Sequence, residues 1–263
     1  MSYSVKECYE WGVLGCGWLG QAFARQILSE GGTVWGSAKS EESLDAIAHL
    51  GVKSVAFDAH GNQPVGFPPC RHLLVAWPPN VGPEAAARAI DLCQTEHTTW
   101  TVCISSTSVY PNQPDIYTES QAERRISPHS GVCVLDIEQA TESPTTCHLR
   151  AGGLIGPQRP LLRKPRRQTP QDKPLNVVHI DDVIGAIKHA VQHRMTGAFN
   201  LVSPIHRTRR ACEEIAARDS TETAKGFHME TEARVISSQR LMETGFAFQH
   251  PDPAFYPNPT SSF

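Results

Sequence analysis

The stretch Val13-Leu14-Gly15-Cys16-Gly17-Trp18-Leu19-Gly20 decides the fold of this chain. The residues that lead into it, 10–14, are mostly apolar and strand-prone, as expected of a short buried strand. The residues that follow, 19–28, carry Phe23 and Ile27 at helical spacing, so that one face of a helix is apolar. A Gly-x-Gly-x-x-Gly pattern between a strand and a helix is the context of a dinucleotide-binding turn.

Each glycine of this pattern has its own physical role. Gly15 allows a tight turn, Gly17 lets the backbone approach a pyrophosphate, and Gly20 lets the helix pack close to the strand. The start of the helix then presents backbone N–H groups and a positive dipole end to the phosphates, with Trp18 and Leu19 beside them. The sequence therefore predicts that this turn binds a dinucleotide.

The rest of the chain alternates between strand-like and helix-like segments. Further strands are predicted at 33–35, 54–57, 72–77, 101–105, 145–150, 176–179 and 198–202, and further helices at 41–50, 84–94 and 131–141. Repeated strand–helix–strand units favour right-handed parallel crossovers, so we expect an α/β fold with a doubly wound parallel sheet. Residues 1–150 should form the dinucleotide-binding core, and residues 151–263 should complete the sheet and form a small substrate lobe.

The second half carries recognisable helix ends. Asp181 and Thr208 are expected to be the N-caps of two helices, the second running to about residue 218. Ser237 or Ser238 should begin a last short helix that Gly245 ends. The proline-rich tail from residue 250 should wrap the surface or fray.

Composition excludes several classes of protein. The net charge of −3 and a pI near 6.5 imply no attraction to nucleic acid or acidic membranes. No apolar run approaches the roughly 18 residues of a membrane span, and residues 1–7 contain no signal-peptide core, so we expect a cytoplasmic protein. The 8 cysteines form no Cys-x-x-Cys pair and the 12 histidines no His-Glu-x-x-His, so buried reduced thiols and no metal site are expected.

Ordered motifs resemble those of the extended short-chain dehydrogenase/reductases, in particular the atypical, YeeZ-type members that are like NAD-dependent epimerases and dehydratases. The motifs, spread over roughly residues 10–250, lie at 15–20, 104–110, 149–159, 176–183, 198–202 and 240–246. The resemblance implies a Rossmann fold and a nicotinamide dinucleotide cofactor. It also implies cofactor contacts at Ala76, Trp77 and Pro78 after the fourth strand, at Ser105 in the fifth, and at Asp58 beside the adenine. A turn residue at a strand end is an equally good interpretation of Asp58.

The second strand bears on the choice of cofactor. NAD enzymes place an acidic residue about twenty positions past the first glycine, where it binds the ribose 2′-hydroxyl. Here the end of the second strand and the residues after it, 35–40, contain no carboxylate, and Lys39 and Ser40 stand at that place. These two residues could hold a 2′-phosphate by charge and hydrogen bonding, so we expect NADP rather than NAD. The alternative is that Lys39 is a solvated loop residue.

The catalytic residues depart from the family pattern. The resemblance places a hydroxyl at Ser106 or Thr107, but Gly131 stands where the catalytic tyrosine should be and Leu135 where its lysine should be. Tyr110 is the nearest replacement as a proton donor, with a packed aromatic as the alternative. Glu138 could enter the pocket from its helix, although an exposed face was the stronger expectation.

Two functions remain open on the sequence. One is an oxidoreductase or epimerase acting on an anionic small molecule such as a sugar nucleotide, which the basic loop 159–173 would suit. The other is a non-catalytic NADP(H)-binding sensor or scaffold, which the missing Tyr-x-x-x-Lys favours. A structural hydrogen bond is the favoured interpretation of His179, and structural pairing that of Arg150. We expect no nucleic-acid partner, and a homodimer is left open.

Overall fold

The computed structural model describes residues 8–61, 66–161, 173–217 and 233–257. The strands within them are β1 Tyr9–Leu14, β2 Val34–Ala38, β3 Lys53–Ala56, β4 Cys70–Val75, β5 Trp100–Ser106, β6 Asp115–Tyr117, β7 Thr146–Ala151, β8 Gly153–Ile155, β9 Val177–His179, β10 Gly197–Leu201 and β11 Arg234–Ile236. The helices are α1 Trp18–Ser29, α2 Glu41–His49, α3 Pro83–Cys93, α4 Val134–Ala140, α5 Ile180–Gln192, α6 Arg209–Ala217 and α7 Gln239–Glu243.

The central sheet has seven strands in the order β10-β7-β5-β4-β1-β2-β3. Strand β1 pairs in parallel with β2 and with β4, and the β2–β3 and β4–β5 pairs are parallel as well. Between β1 and β4 the strand order changes direction, which opens a crevice at the carboxyl ends of these strands. The predicted fold class, a doubly wound parallel sheet flanked by helices, is confirmed.

The chain divides into two compact units that interleave in sequence. Unit 1 comprises Met1–Ser105, Arg124–Leu149 and Ile187–Ala198, and unit 2 comprises Ser106–Glu123, Arg150–Ala186 and Phe199–Phe263. The division is therefore more complex than a single cut after residue 150, because the chain crosses between the units several times.

Unit 1 is built on the apolar strands of the sheet. Leu14, Trp35 and Leu73 are fully buried in one cluster, as continuous apolar runs in central parallel strands require. On α1, Phe23 packs edge to face on Trp11 with ring centroids 4.8 Å apart. The cysteines are free and, apart from Cys8, buried. Burial raises the pKa of Cys16 to about 12, which fits the expectation of inert thiols.

Unit 2 contains two small parallel pairs that the sequence did not predict, β6 with β11 and β8 with β9. Thr208 caps α6 as expected, because its hydroxyl accepts the Ala211 N–H at 3.1 Å. The expected N-cap at Asp181 is displaced, since α5 begins at Ile180 and Asp181 lies in its first turn.

The C-terminal segment of unit 2 is more tightly held than the sequence suggested. Asp252 is buried and receives two Nε contacts from Arg207 at 2.6 and 2.8 Å. Its carboxylate also caps the short 3₁₀ turn Pro253–Phe255 by accepting the Ala254 N–H. Residues 258–263 lie outside the described residues. No helix in the described part of the chain is long and apolar enough to cross a membrane.

Candidate functional site

The three glycines after β1 have the geometry that the sequence predicted. Gly15 has a φ of 79°, and a Cβ there would lie 2.1 Å from Cδ1 of Trp77, so only glycine fits. A Cβ on Gly20 would lie 3.0 Å from a methyl of Val13, which shows how closely α1 packs on β1. A Cβ on Gly17 would meet no atom within 4 Å, so the space over this residue is open.

Backbone contacts hold this turn against β2. The Gly15 N–H donates to the Ser37 hydroxyl at 3.1 Å, and the Cys16 N–H donates to the Ser37 carbonyl at 2.8 Å. Gly17 is the N-cap of α1, and within the described residues no side chain caps this helix and no acid stands in its first turn. An open glycine before an uncapped, positive helix end fits the pyrophosphate of a dinucleotide.

The end of β4 lies beside this turn, as the resemblance implied. The Ala76 N–H donates to the Leu14 carbonyl at 2.9 Å, which continues the β1–β4 pairing beyond the strand. Trp77 then covers Gly15, and its ring stacks on Phe57 with centroids 5.9 Å apart. The residues that follow β4 therefore lie at the crevice where parallel sheets of this order bind ligands, and their contact with a cofactor stays a prediction.

Lys39 and Asp58 meet at the ends of β2 and β3. The Lys39 ammonium lies 2.8 Å from the Asp58 carboxylate, with the two side chains 74% and 36% exposed. The hydrogen bond from Lys39 holds the pKa of Asp58 below its usual value. Ser40 caps α2 by accepting the Ser43 N–H, so its hydroxyl is already engaged. A contact of Lys39 and Ser40 with a 2′-phosphate stays a prediction.

A small cavity lies within unit 1 between β4, β5, α3 and α4. Its volume is about 40 Å³, room for a few water molecules. The lining is largely apolar and includes Val75, Trp77, Pro78, Val81, Cys103, Val134 and Ile137. Four polar side chains converge on it, those of Ser105, Glu138, Thr141 and His148. A mostly apolar pocket with a few convergent polar groups is the usual form of a reactive site.

Ser105 and Glu138 form the closest polar pair of the cavity. The Ser105 hydroxyl donates to Oε1 of Glu138 at 2.5 Å. Glu138 is 8% exposed, because it shares the buried face of α4 with Val134, one turn earlier. The expectation that Glu138 points to solvent is therefore wrong, and the alternative, entry into a pocket, is correct.

Behind this pair the cavity wall is fixed by hydrogen bonds. The Thr141 hydroxyl lies 2.9 Å from Nε2 of His148 and donates to the Ile137 carbonyl at 2.7 Å. Burial raises the pKa of Cys103 to about 12, so this thiol stays protonated at the base of the cavity. Ser105 and Glu138 are thus the groups of this cavity best suited to carry a proton.

In unit 2, Ser106 and Thr107 form the turn that follows β5. The Ser106 hydroxyl accepts the Ser108 N–H at 3.1 Å and so caps the short 3₁₀ turn Thr107–Val109. The Thr107 carbonyl accepts a hydrogen bond from Arg234 at 2.9 Å. Both hydroxyl residues are partly exposed, and their catalytic role stays a prediction.

The geometry of Tyr110 argues against its predicted role as a proton donor. The residue is 1% exposed, and its hydroxyl donates to Oδ1 of Asn200 at 2.6 Å and accepts from Arg150 at 2.9 Å. Burial raises the pKa of Tyr110, against the opposing charge of Arg150, whereas proton transfer near pH 7 requires a lowered pKa. The structure therefore supports the packed-aromatic alternative, because both partners of the hydroxyl are structural.

Several other candidates have structural partners in unit 2. Glu119 accepts the Asn200 N–H at 2.8 Å, and Arg150 donates to the Glu119 carbonyl at 2.9 Å. His179 contacts Asp181 at 3.2 Å, which agrees with the structural interpretation of His179. Residues 163–167 of the basic loop lie outside the described residues, and the backbone of Arg159, nearer the start of the loop, bridges to Gly156.

Comparison with known proteins agrees with the fold and the motifs. No family model matches the chain. Protein YeeZ of Escherichia coli K12 is 26% identical over 275 residues, which covers 93% of this chain and 97% of YeeZ. The fold and the order of the motifs in this chain resemble those of the extended short-chain dehydrogenase/reductases.

Solved structures share this fold at low identity. A short-chain dehydrogenase/reductase superfamily protein from Agrobacterium tumefaciens with bound NAD is 19% identical, with a TM-score of 0.68 over 92% of this chain and 93% of that one. UDP-glucuronic acid 4-epimerase from Bacillus cereus in complex with NAD is 14% identical, with a TM-score of 0.71 over 93% and 95%. These likenesses establish the fold alone.

Replacing Gly17 by alanine tests the dinucleotide turn. Because the added Cβ meets no protein atom and Gly17 has an extended φ of −81°, Gly17→Ala should unfold at the wild-type temperature. The methyl would occupy the open space where a pyrophosphate approaches, so affinity for NADPH should fall about tenfold or more, roughly 1.4 kcal/mol. Fluorescence titration measures the affinity and thermal unfolding the stability. Gly66→Ala, also free of close contacts, is the control, and equal NADPH affinities would refute the assignment.

Removing the Tyr110 hydroxyl tests the structural interpretation. Tyr110→Phe leaves Asn200 and Arg150 each short of a buried partner, so urea unfolding should show a loss of about 1–3 kcal/mol. Tyr117→Phe is the matched control, because the Tyr117 hydroxyl donates only a longer bond, 3.2 Å, to the Gln113 carbonyl. Unchanged stability together with lost turnover would restore Tyr110 as a catalytic residue.

Proposed function

We propose that this protein is an NADP(H)-dependent oxidoreductase or epimerase that acts on an anionic, sugar-nucleotide-type substrate. The observation that carries the proposal is the Ser105–Glu138 pair in a cavity whose wall includes Trp77, the residue that covers the dinucleotide turn at Gly15. One indole thus borders both the predicted cofactor position and the cavity that holds the Ser105–Glu138 pair.

A nicotinamide cofactor supplies a hydride acceptor or donor at one ring carbon when it is bound. The protein has to move the matching proton at the substrate oxygen. Tyr-x-x-x-Lys is absent from the sequence, and the Tyr110 hydroxyl is already held by Asn200 and Arg150. Another group therefore has to carry this proton.

The Ser105–Glu138 hydrogen bond has the donor–acceptor direction that this proton transfer needs. Ser105 already donates to Glu138, so a lone pair of its oxygen remains to accept a substrate hydroxyl proton. During oxidation the substrate proton passes to Ser105 while the Ser105 proton passes to the Glu138 carboxylate, and the carboxyl then releases it to water. Reduction runs the same two transfers in reverse and gives the proton to the substrate oxygen.

The cofactor preference rests on the edge formed by β2 and β3. Lys39 directly follows β2, where the ribose of a bound dinucleotide is expected, and no acid stands at the end of this strand. Its ion pair with Asp58 is largely exposed, and exposed pairs add little to stability, so a phosphate can replace the carboxylate at little cost.

The substrate class rests on resemblance and charge. UDP-glucuronic acid 4-epimerase, whose fold this chain shares, acts on a sugar nucleotide. The sequence 159–173 is rich in arginine and lysine, which suits a diphosphate. The cavity of about 40 Å³ is too small for a sugar, so it would accept only the reacting end of the substrate.

A second candidate function is a non-catalytic NADP(H)-binding sensor or scaffold. The burial of Tyr110 favours it, because the nearest replacement for the missing tyrosine has a structural role. It differs from the enzyme in one measurable respect, since no turnover would accompany dinucleotide binding.

Lys39 should determine the preference between the two cofactors. We expect NADPH to bind more tightly than NADH, and Lys39→Ala to remove most of this difference because the ribose phosphate loses its cation. Lys53→Ala is the control, since Lys53 lies at the opposite end of β3. Isothermal titration with both cofactors measures the ratio, and a preference that survives in Lys39→Ala would contradict the assignment.

Glu138→Gln should lower the turnover rate about 10²–10⁴-fold, because the amide cannot accept the proton from Ser105. NADPH affinity should stay unchanged. The assay offers UDP-glucose or UDP-glucuronate with NADP⁺ and follows nicotinamide absorbance and sugar configuration. Glu138→Asp should restore part of the rate and the pH dependence that Gln abolishes. Glu142→Gln, at an exposed position just beyond α4, is the control. Binding without turnover of any such substrate by the wild type would favour the sensor.

A further inference from the structure

Two histidines and an aspartate, none of which the proposed reaction uses, meet in unit 2. Nδ1 of His179, at the end of β9, lies 3.2 Å from Oδ2 of Asp181 in the first turn of α5. Nε2 of His250 lies 3.1 Å from the same oxygen. One ligand atom from each residue lies within 4.8 Å of the other two.

We propose that His179, Asp181 and His250 bind one divalent transition-metal ion of the Zn²⁺ type. Zinc bonds to imidazole nitrogen and carboxylate oxygen are about 2.0–2.2 Å long, which places neighbouring ligands of a tetrahedron about 3.3 Å apart. The two measured separations are close to this value. Each imidazole binds through the nitrogen that faces Asp181 and carries its proton on its other ring nitrogen.

The ligands are held in place by their neighbours. The buried Asp182 carboxylate accepts the Gln249 N–H at 2.6 Å and the His250 N–H at 3.2 Å. These two bonds hold the backbone that carries the His250 side chain. The Ser203 hydroxyl donates to the His250 carbonyl at 3.2 Å. The Tyr256 ring packs against His179 with centroids 5.3 Å apart. Such supporting contacts orient metal ligands before the ion binds.

Charge and access also suit a cation. Asp181 supplies a carboxylate oxygen 3.2 and 3.1 Å from the two imidazole nitrogens. The Asp181 N–H donates to Nδ1 of His179 at 3.3 Å, so this nitrogen carries a lone pair, which the ion would take in place of this long hydrogen bond. The His179 side chain is 4% exposed and that of Asp181 42%, so the site opens at Asp181 and leaves the fourth position to water.

A metal here would join the start of α5 to the C-terminal segment. His250 belongs to that segment, and Asp181 to a turn about 70 residues earlier in the sequence. Because the ion would bind the folded chain in preference to the unfolded one, it should raise the unfolding temperature as its concentration rises.

The test uses the full chain after treatment with a chelator. Zn²⁺ is titrated in competition with a chromophoric chelator, and Co²⁺ replaces it to report four-coordinate geometry by its intense visible absorption. We expect one tight Zn²⁺ per chain, a higher unfolding temperature, and a loss of affinity of tenfold or more in His250→Ala and Asp181→Asn. Asp181→Asn keeps the shape of the side chain, so it separates loss of metal from loss of folding.

Two control variants locate the ion. His193→Ala removes one member of the His189–His193 pair on α5, whose rings lie 4.0 Å apart and offer the chief competing site. His97→Ala removes an exposed histidine. Both should keep wild-type affinity and the Co²⁺ spectrum. The proposal is overturned if His250→Ala binds Zn²⁺ as tightly as the wild type, if only His193→Ala loses binding, or if Co²⁺ gives no tetrahedral spectrum.

Discussion

The contact between the Trp77 indole and Gly15 is the constraint on which the candidate site depends. It requires a residue without a side chain at the end of β1, and it brings the loop after β4 over the turn that begins α1. The same indole stacks on Phe57 and borders the cavity of Ser105 and Glu138. The direction change of the sheet, the glycine turn and the cavity of Ser105 and Glu138 are therefore parts of one packing arrangement in unit 1.

Sequence patterns predicted the features that depend on residues close together in the chain. The glycine spacing and the apolar periods located β1, α1 and the parallel sheet, because glycine is needed where φ is positive and apolar runs are needed where strands are buried. Thr208 was identified as a cap for the same reason, since a cap bonds to a residue three positions away.

Contacts between distant segments could not be predicted in this way. Tyr110 follows β5 as expected, but its burial depends on Asn200 and Arg150, which a single sequence does not place beside it. The cluster at Asp181 likewise needs His250 from the far end of the chain. For Glu138 a signal existed, because it stands four residues after Val134 and so shares the apolar face of α4. Its hydrogen bond to Ser105, 33 residues away, could not be predicted from the sequence.

The ion pair of Lys39 with Asp58 affects how a phosphate could bind at this edge of the sheet. The lysine already faces an anion, so an incoming ribose phosphate would displace one negative group from a cation instead of neutralising a lone charge. Under the proposed binding of NADP(H), the ammonium would exchange one anion for another, and the Lys39–Asp58 pair carries no net charge before the exchange. Discrimination between cofactors at such a site depends on how well each competing anion fits the ammonium, and on how freely the displaced carboxylate can turn towards water.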